Sequence, residues 1–364
     1  MIESEPAEKR RMNMRKWYEM EACNQGPIIG GQVYLVRNIM GYPFEAKMNE
    51  EEQKALMAAV CYAVRQSEEV LQKKFVFINF SEVRDYEQQA LIGKLAIPPQ
   101  MFEKGHEAGI LISEDESISV LVNGKEHLCI QVSCPGNHIQ EAMALAGQVD
   151  DCLNQYLKYA FSKKYGYLTS SPLYMGTGMS ASYLLHLPYL EKKSVMHQIE
   201  KQISQYGFTL RPHFDGQTEA PGSVYRMRNR KTLGLSESEI TSALEHLAGQ
   251  LAEQEEALAR QCFNEDRLSQ VDPMYRAYGL IKYARKLGYD ETMACLSLLH
   301  AGDLYHIWPE QAEICPFAVM LNMADAVLSA SAEKNISSSE RGRARADYIR
   351  RNLPVLDASE AVSS

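Results

Sequence analysis

Residues 166–190, GYLTSSPLYMGTGMSASYLLHLPYL, constrain the fold of this chain more than any other segment. A Gly-Thr-Gly turn at 176–178 precedes an apolar, β-prone run, and His-Leu-Pro at 186–188 ends that run. Glycine adopts the positive φ angles of tight turns, and its missing side chain lets the backbone approach a ligand, often a phosphate. The segment therefore predicts a glycine turn that leads into a strand beside a candidate anion site.

Apolar periodicity divides the remaining chain into helices and strands. Helical spacing predicts amphipathic helices over 48–73, 138–161, 192–206 and 236–262, the last opened by a capping box. Alternation predicts a strand through Val33 and Leu35, a strand at 75–80, two strands within 110–131 and one at 207–211. Four more helices, at 275–287, 292–301, 310–328 and 338–352, predict a helical C-terminal region.

These patterns predict an α+β protein with two domains. We expect a mobile basic lead-in at 1–20, an antiparallel sheet flanked by helices at 21–263, a helical domain at 264–355 and a tail at 356–364. Residues 264–273 are expected to form the linker between the two domains.

Composition narrows the functional classes. The net charge of −9 gives no global basic field for nucleic acid, and no apolar run approaches the roughly 18 residues that span a bilayer. The N-terminus lacks the apolar core of a signal peptide, so we expect a cytoplasmic protein without a membrane partner. The eight cysteines show neither CxxC pairs nor regular spacing, which indicates reduced thiols and no metal site.

The 166–190 segment resembles the signature of the phosphagen (ATP:guanido) kinases, above all that of the bacterial protein arginine kinases. In that family it reads roughly GYLTSCPTNxGTGLRASxxLHLPxL. The resemblance continues in QVDD at 148–151 and NxxTLG at 229–234, and it covers about residues 26–353. It implies a phosphagen-kinase fold, glutamine-synthetase-like, followed by the helical domain of the arginine kinases.

Most family positions that hold the nucleotide are substituted. The resemblance implies five principal phosphate-binding arginines, of which only Arg211 is retained. Arg37, the third arginine of a family SSRIRLARN segment, is a further candidate for nucleotide binding. The substituted positions, including the one beside the adenine, hold Gln32, Tyr34, Leu95, Cys129 and Ser180.

The family's catalytic groups are also replaced. A guanidinium has a pKa above about 12, so its phosphorylation needs a carboxylate to orient and deprotonate it. The family's NEEDH box reads NGKEH here, which puts Lys125 at the position of the catalytic glutamate, and the reactive cysteine is Ser171. No catalytic position is intact.

Two basic features remain to be explained. Arg226, Arg228 and Arg230 alternate within 226–231, where relatives are neutral, and would share one strand face. They form either a solvated cationic face or a site for an anionic partner. Arg341 and Arg345 lie one turn apart in a helix that resembles the phosphoarginine-reading helix of the family, so they are candidate phosphoarginine ligands or simply solvated charges.

These losses favour a catalytically impaired protein-arginine-kinase homologue that acts as a regulatory or binding module. The resemblance implies a context of bacterial protein quality control, with a Clp-type unfoldase, an active arginine kinase or phosphoarginine proteins as partners, and a homodimer is a further expectation. The alternatives are an active kinase with rebuilt contacts and a phosphoarginine-binding protein. ATP and Mg²⁺ are the implied cofactors if nucleotide binding survives.

Overall fold

A computed structural model describes residues 15–102, 107–214, 220–308 and 315–353. The strands are β1 (Ile28–Arg37), β2 (Phe75–Asn79), β3 (Gly109–Ser113), β4 (Ile118–Val122), β5 (Leu128–Pro135), β6 (Phe161–Ser162), β7 (Gly166–Tyr167), β8 (Met179–His186), β9 (Phe208–Pro212) and β10 (Val224–Asn229). Eight of them form one antiparallel sheet in the order β2-β3-β4-β5-β1-β8-β10-β9, and β6 pairs with β7. The strand that follows the Gly-Thr-Gly turn, β8, therefore lies beside the central strand β1.

The helices pack mainly on one face of the sheet and at its end. They are α1 (Glu50–Leu71), α2 (Asp85–Gly93), α3 (Ile139–Asn154), α4 (Pro188–Lys192), α5 (Met196–Gln205), α6 (Glu237–Glu265), α7 (Arg267–Tyr283), α8 (Tyr289–Leu304), α9 (Pro316–Asn322), α10 (Asp325–Ser331) and α11 (Ser338–Asn352). This arrangement of an antiparallel sheet, flanking helices and a helical C-terminal region confirms the predicted α+β class.

The back face of the sheet carries the main core. Val33 and Leu35 of β1 point toward α1, α3 and α6, where they meet Leu56, Val149 and Leu244. Each such side chain contributes roughly 1.5–3 kcal/mol on burial. We call the opposite face the front face. It carries the polar side chains of Gln32 and Tyr34 of β1.

A buried ion pair joins the central strand to α3. Arg37 is 1% exposed, and its Nε and Nη2 donate to the Asp150 carboxylate over 2.7–3.1 Å. Its Nη1 donates to the carbonyls of Val36 and Thr177, and the guanidinium lies 3.5 Å from the centre of the Tyr167 ring. This contradicts the expectation that Arg37 contributes to a nucleotide site, because its charge and donors are already satisfied inside the fold.

The junction between the two predicted domains differs from the sequence-based expectation. The predicted linker at 264–273 is wrong: α6 continues to Glu265 and α7 starts at Arg267. Asp266 alone separates them, and its side chain caps α7 by accepting from the Ser269 backbone N–H at 3.1 Å. The expected boundary at 263/264 therefore falls inside a helix.

The end of the expected mobile lead-in is ordered. Trp17 and Tyr18 are buried in a 3₁₀ turn, and Trp17 packs near Phe317 of α9. Lys16 donates from Nζ to the Glu114 carbonyl at 2.6 Å. Apolar burial of these two aromatic rings overrides the basic character of the segment, and residues 1–14 lie outside the described part.

Three other element boundaries were misjudged. The segment 110–131 holds parts of three strands because the chain reverses through Asn123, whose φ is +54°. The helix expected to reach residue 161 ends at Asn154. The helix expected at 310–328 is interrupted, since α9 ends at Asn322 and α10 starts at Asp325; residues 309–314 lie outside the described part. In the ranges that the structure describes, no helix is long and apolar enough to cross a membrane.

We predict that Asp150→Asn lowers the free energy of unfolding by about 3–5 kcal/mol, because it leaves the buried Arg37 guanidinium without its counter-charge. Urea unfolding followed by circular dichroism measures the change. Asp272→Asn is the matched control: its carboxylate is 57% exposed, and we expect a change within about 0.5 kcal/mol. A loss below about 1 kcal/mol in Asp150→Asn would contradict the structural role assigned to this pair.

Candidate functional site

The front face of the central strands gathers most of the predicted site positions. Register pairs Gln32 with Ser182 and Tyr34 with Ser180 between β1 and β8. Arg228 of β10 is opposite Ser182, and Tyr34 is opposite Gln131 of β5. Because directly paired residues share a face, these side chains form one continuous polar surface.

Arg226 occupies the centre of that surface. Its Nη1 donates to Gln32 Oε1 and to the Tyr34 hydroxyl, both at 2.7 Å, and to the Ser182 hydroxyl at 3.1 Å. Two substituted family positions, Gln32 and Tyr34, are thereby used as acceptors for an arginine from a different strand. Arg226 was not predicted to contact them, since only the register of β1, β8 and β10 brings the three together.

A loop covers the part of the front face over β1, β4 and β5. Gln32 Nε2 donates to the Leu95 carbonyl at 3.4 Å, and Gln131 Nε2 donates to the same oxygen. The Ser119 hydroxyl donates to the Ala96 carbonyl at 2.7 Å. Leu95 takes a φ of +62°, a conformation that a β-carbon disfavours, and these hydrogen bonds hold it there.

Apolar side chains fill the space beside this loop. Tyr34, Cys129 and Tyr174 belong to one buried cluster with Ile97 and Met101. Burial raises the pKa of the Cys129 thiol to about 12 and that of the Tyr174 hydroxyl to about 12. Both groups are therefore neutral at pH 7, and neither offers positive charge to a nucleotide phosphate. The neighbouring Arg226 guanidinium is already hydrogen-bonded to Gln32 and Tyr34.

The carboxylate nearest to the former catalytic position is fully engaged. Glu126, which is 2% exposed, accepts from Asn38 Nδ2 at 2.6 Å and from the Ser171 backbone N–H at 3.0 Å. It also accepts from both the backbone N–H and the hydroxyl of Ser170, at 2.9 and 2.8 Å. Glu126 was missed as a structural residue, although its place in the NGKEH segment beside the substituted glutamate was a usable signal.

Lys125 and Ser171 lie on either side of this carboxylate. The Lys125 side chain is exposed, and its backbone carbonyl accepts from the Ser170 hydroxyl at 3.2 Å. Ser171 is fixed through its backbone N–H to Glu126. The two predicted catalytic positions are therefore neighbours, but they supply an ammonium and an alcohol in place of a carboxylate and a thiol.

The Gly-Thr-Gly turn is closed by packing within the protein. A β-carbon on Gly178, whose φ is +65°, would meet the Val36 carbonyl oxygen at 2.6 Å and Arg37 Nη1 at 2.7 Å. A β-carbon on Gly176 would meet the Thr232 carbonyl oxygen at 3.0 Å. Both glycines are therefore required by close backbone contacts inside the fold, whether or not a ligand binds.

Arg211 lies apart from the buried network. It belongs to the edge strand β9, its side chain is 66% exposed, and Nη1 forms an ion pair with Glu200 Oε1 of α5 at 2.6 Å. It is the register partner of Arg226 across β9 and β10. Arg211, the position predicted to retain a phosphate-binding arginine, is therefore accessible at the edge of the front face.

The two C-terminal arginines meet on one internal carboxylate. Arg341 Nη1 lies 2.9 Å from Asp325 Oδ2, and Arg345 Nη2 binds Asp325 Oδ1. Arg345 is buried and also donates from Nη1 to the Leu287 carbonyl at 2.7 Å. The arginines do converge as an anion clamp would, but Asp325 of α10 occupies it.

Comparison with known proteins places this geometry in a family context. Residues 55–258 match the family model of the ATP:guanido phosphotransferase C-terminal catalytic domain, and residues 267–363 match that of the protein-arginine kinase McsB C-terminal domain. The chain is 38% identical to the protein-arginine kinase of Desulforamulus reducens, over 94% of this chain and 96% of that protein. It is 32% identical to that of Bacillus subtilis, over 79% of each.

Solved structures show the same fold at lower identity. The chain resembles a crystal structure of lombricine kinase with a TM-score of 0.57 and 17% identity, over 65% of this chain and 68% of that one. It also resembles the duplicated taurocyamine kinase of Schistosoma mansoni with a TM-score of 0.56 and 19% identity, over 65% of this chain and 34% of that one.

We predict that Glu126→Gln lowers the free energy of unfolding by about 2–4 kcal/mol, because an amide places a donor among four donors that now share a carboxylate. Amide hydrogen exchange at Ser170 and Ser171 should accelerate in parallel. Glu256→Gln, at a carboxylate 39% exposed, is the charge-matched control and should leave both readouts unchanged. Unaltered exchange at Ser170 and Ser171 in Glu126→Gln would show that Glu126 does not hold this loop.

Proposed function

The chain belongs to the ATP:guanido phosphotransferase family, and we propose that within it this chain is a catalytically impaired protein-arginine-kinase homologue that acts as a regulatory or binding module. The observation that carries the proposal is that the protein's own side chains fill the front face. The Leu95 loop hydrogen-bonds to β1 and β5, and Tyr174 packs in one buried cluster with Tyr34 and Cys129 of those strands.

Nucleotide binding is the first requirement that the residues fail to meet. Phosphoryl transfer depends largely on positioning and on neutralising the phosphate charge. Over β1 and β5 the chain presents a glutamine, a tyrosine and a protonated thiol, and Arg226 is held by neutral acceptors beside them. These residues do not fit a Mg²⁺-bound triphosphate.

Substrate activation is the second requirement. A guanidinium needs a carboxylate within hydrogen-bonding reach to orient it and take its proton. Lys125 would repel the guanidinium. The Glu126 carboxylate already accepts hydrogen bonds from Asn38, Ser170 and Ser171. Glu126 therefore binds the loop that contains Ser170 and Ser171, and not a substrate guanidinium.

Magnitudes favour impairment over compensation. Loss of a general base costs about 10²–10⁴ in rate, and loss of one preorganised electrostatic contact costs about 10²–10³. The rate effects of residues that act together are not additive, so these factors cannot simply be multiplied. A chain lacking base, thiol and four cationic contacts retains little of the family's rate enhancement.

The biological context follows from the relatives alone. They are named protein-arginine kinases. By analogy with that family, we propose a role in bacterial protein quality control. We propose a protein partner: a Clp-type unfoldase, an active arginine kinase or a protein that carries phosphoarginine. This part of the proposal rests on family analogy.

We predict that the parent protein shows no Mg·ATP binding by calorimetry and no transfer of radiolabelled phosphate to an arginine-rich protein. The Bacillus subtilis protein-arginine kinase, assayed in parallel, is the positive control. Stoichiometric transfer that is abolished in Arg211→Ala would overturn the proposal. It would instead support an active kinase with rebuilt contacts. The location of Arg211, Arg226 and Arg228 on one face of the sheet is the observation that favours this alternative.

A second candidate function is phosphoarginine binding by the C-terminal helices. The supporting observation is the convergence of Arg341 and Arg345 on Asp325, a geometry that suits an oxyanion. In this conformation the Asp325 carboxylate competes with the phosphoryl group of phosphoarginine for the two guanidiniums.

We predict that free phosphoarginine gives weak or no heat with the parent protein and measurable binding with Asp325→Asn, because the amide releases both guanidiniums. Arg345→Ala in the Asp325→Asn background should abolish the new binding. Equal affinities in the parent protein and in Asp325→Asn would rule out competition by Asp325.

A further inference from the structure

Three arginines lie together on the front face at the edge that the covering loop does not reach. Arg226 of β10 and Arg211 of β9 are register partners, so their side chains leave the sheet side by side. Arg228 follows two residues after Arg226, on the same face, and is opposite Thr209 and Ser182. We call Arg211, Arg226 and Arg228 the arginine row.

The positive charge of the arginine row is poorly compensated. Glu200 pairs with Arg211, whereas Arg226 donates only to neutral groups. The Arg228 guanidinium makes no hydrogen bond or ion pair with any residue that the structure describes, whereas its backbone carbonyl accepts from the Thr209 hydroxyl at 3.3 Å. Arg211 and Arg226 are directly opposite each other, and like charges in that arrangement destabilise a strand pair. A bound anion would relieve this repulsion.

Unused donors accompany this charge. Arg226 Nη2 has no acceptor among the described residues. None of the Arg228 guanidinium nitrogens has one either. His213 lies beside Arg226, with its Nδ1 accepting from Arg226 Nε at 3.4 Å. The other ring nitrogen, Nε2, must then carry the proton, and it is buried without a described partner. His213 Nε2 is thus a buried donor without an acceptor among the described residues, on a ring that contacts Arg226 through its other nitrogen.

We propose that the arginine row binds a phosphoryl oxyanion, as free phosphate or as a phosphomonoester. This names the ligand of the binding role proposed above and rests on that role. Planar guanidiniums match the oxygens of a phosphoryl group two at a time, and its charge of about −1.5 to −2 at pH 7 suits two uncompensated arginines better than a single carboxylate does.

The neighbouring structure limits the size of this ligand. Toward β1 and β5, the front face is closed by the Leu95 loop and by Tyr34 and Tyr174. These groups reduce the room for a nucleotide base on that side, whereas a small phosphoryl group needs to reach only the arginine row on β9 and β10. The arginine row therefore selects phosphate or a compact monoester over ATP.

Isothermal titration at low ionic strength tests this site with three probes: inorganic phosphate, phenyl phosphate and Mg·ATP. We expect phosphate or phenyl phosphate to bind, and Arg228→Met to weaken that binding at least about tenfold, as for loss of a charge-assisted pair. Arg228→Lys should retain part of the affinity. Binding of phenyl phosphate but not of phosphate would identify a monoester as the ligand, and the reverse would identify free phosphate.

Arg260→Met is the matched control, because it removes the same charge from a side chain that is 64% exposed on α6 and is not part of the arginine row. It should leave the affinity unchanged. The proposal fails if the parent protein binds neither phosphate nor phenyl phosphate, if Arg228→Met binds as tightly as the parent, or if Arg260→Met weakens binding equally. Circular dichroism of each variant excludes unfolding as the cause. Kinase turnover, measured separately, would refute catalytic impairment and leave this result standing.

Discussion

The buried contact between Arg37 and Asp150 is the interaction on which the rest of the site depends. It fastens the end of the central strand to α3 and places the guanidinium between the Tyr167 ring and the Gly-Thr-Gly turn. Gly178 must be a glycine because a side chain there would displace that guanidinium. The turn that looks like a ligand loop in the sequence is therefore also a packing element that aligns β8 with β1.

With β1 and β8 aligned, the front face divides into two parts with different chemistry. Over β1 and β5, tyrosine, glutamine and a protonated cysteine meet the Leu95 loop, and none of these side chains is a cation. Over β9 and β10, arginines stand where the loop ends. The positive charge of Arg211, Arg226 and Arg228 therefore lies on the two strands at the edge of the sheet.

Much of this architecture was predictable from sequence. Strong periodicity and the Ser236 capping box located α6 and its first residue, and the 338–352 pattern matched α11. The one-residue junction at Asp266 was not predictable, because an N-cap and a linker aspartate look alike before the helices are packed. Burial of Trp17 and Tyr18 likewise depends on α9, which is distant in sequence.

The site was only partly predictable for the same reason. The resemblance located the substituted positions, yet it could not show that Arg37 is satisfied internally or that Arg226 binds Gln32 and Tyr34. Those contacts depend on register between strands nearly 200 residues apart. Single-residue roles on this face are consequences of the assembled sheet.

The central claim is that the front face over β1 and β5 is closed to nucleotide. Hydrogen exchange of the parent protein with and without saturating Mg·ATP tests it directly, read at the amides of residues 94–97 and 180–182. The account predicts identical exchange in both conditions. Protection of these amides by Mg·ATP would contradict it, because a nucleotide would then occupy the space assigned here to Leu95, Tyr34 and Tyr174.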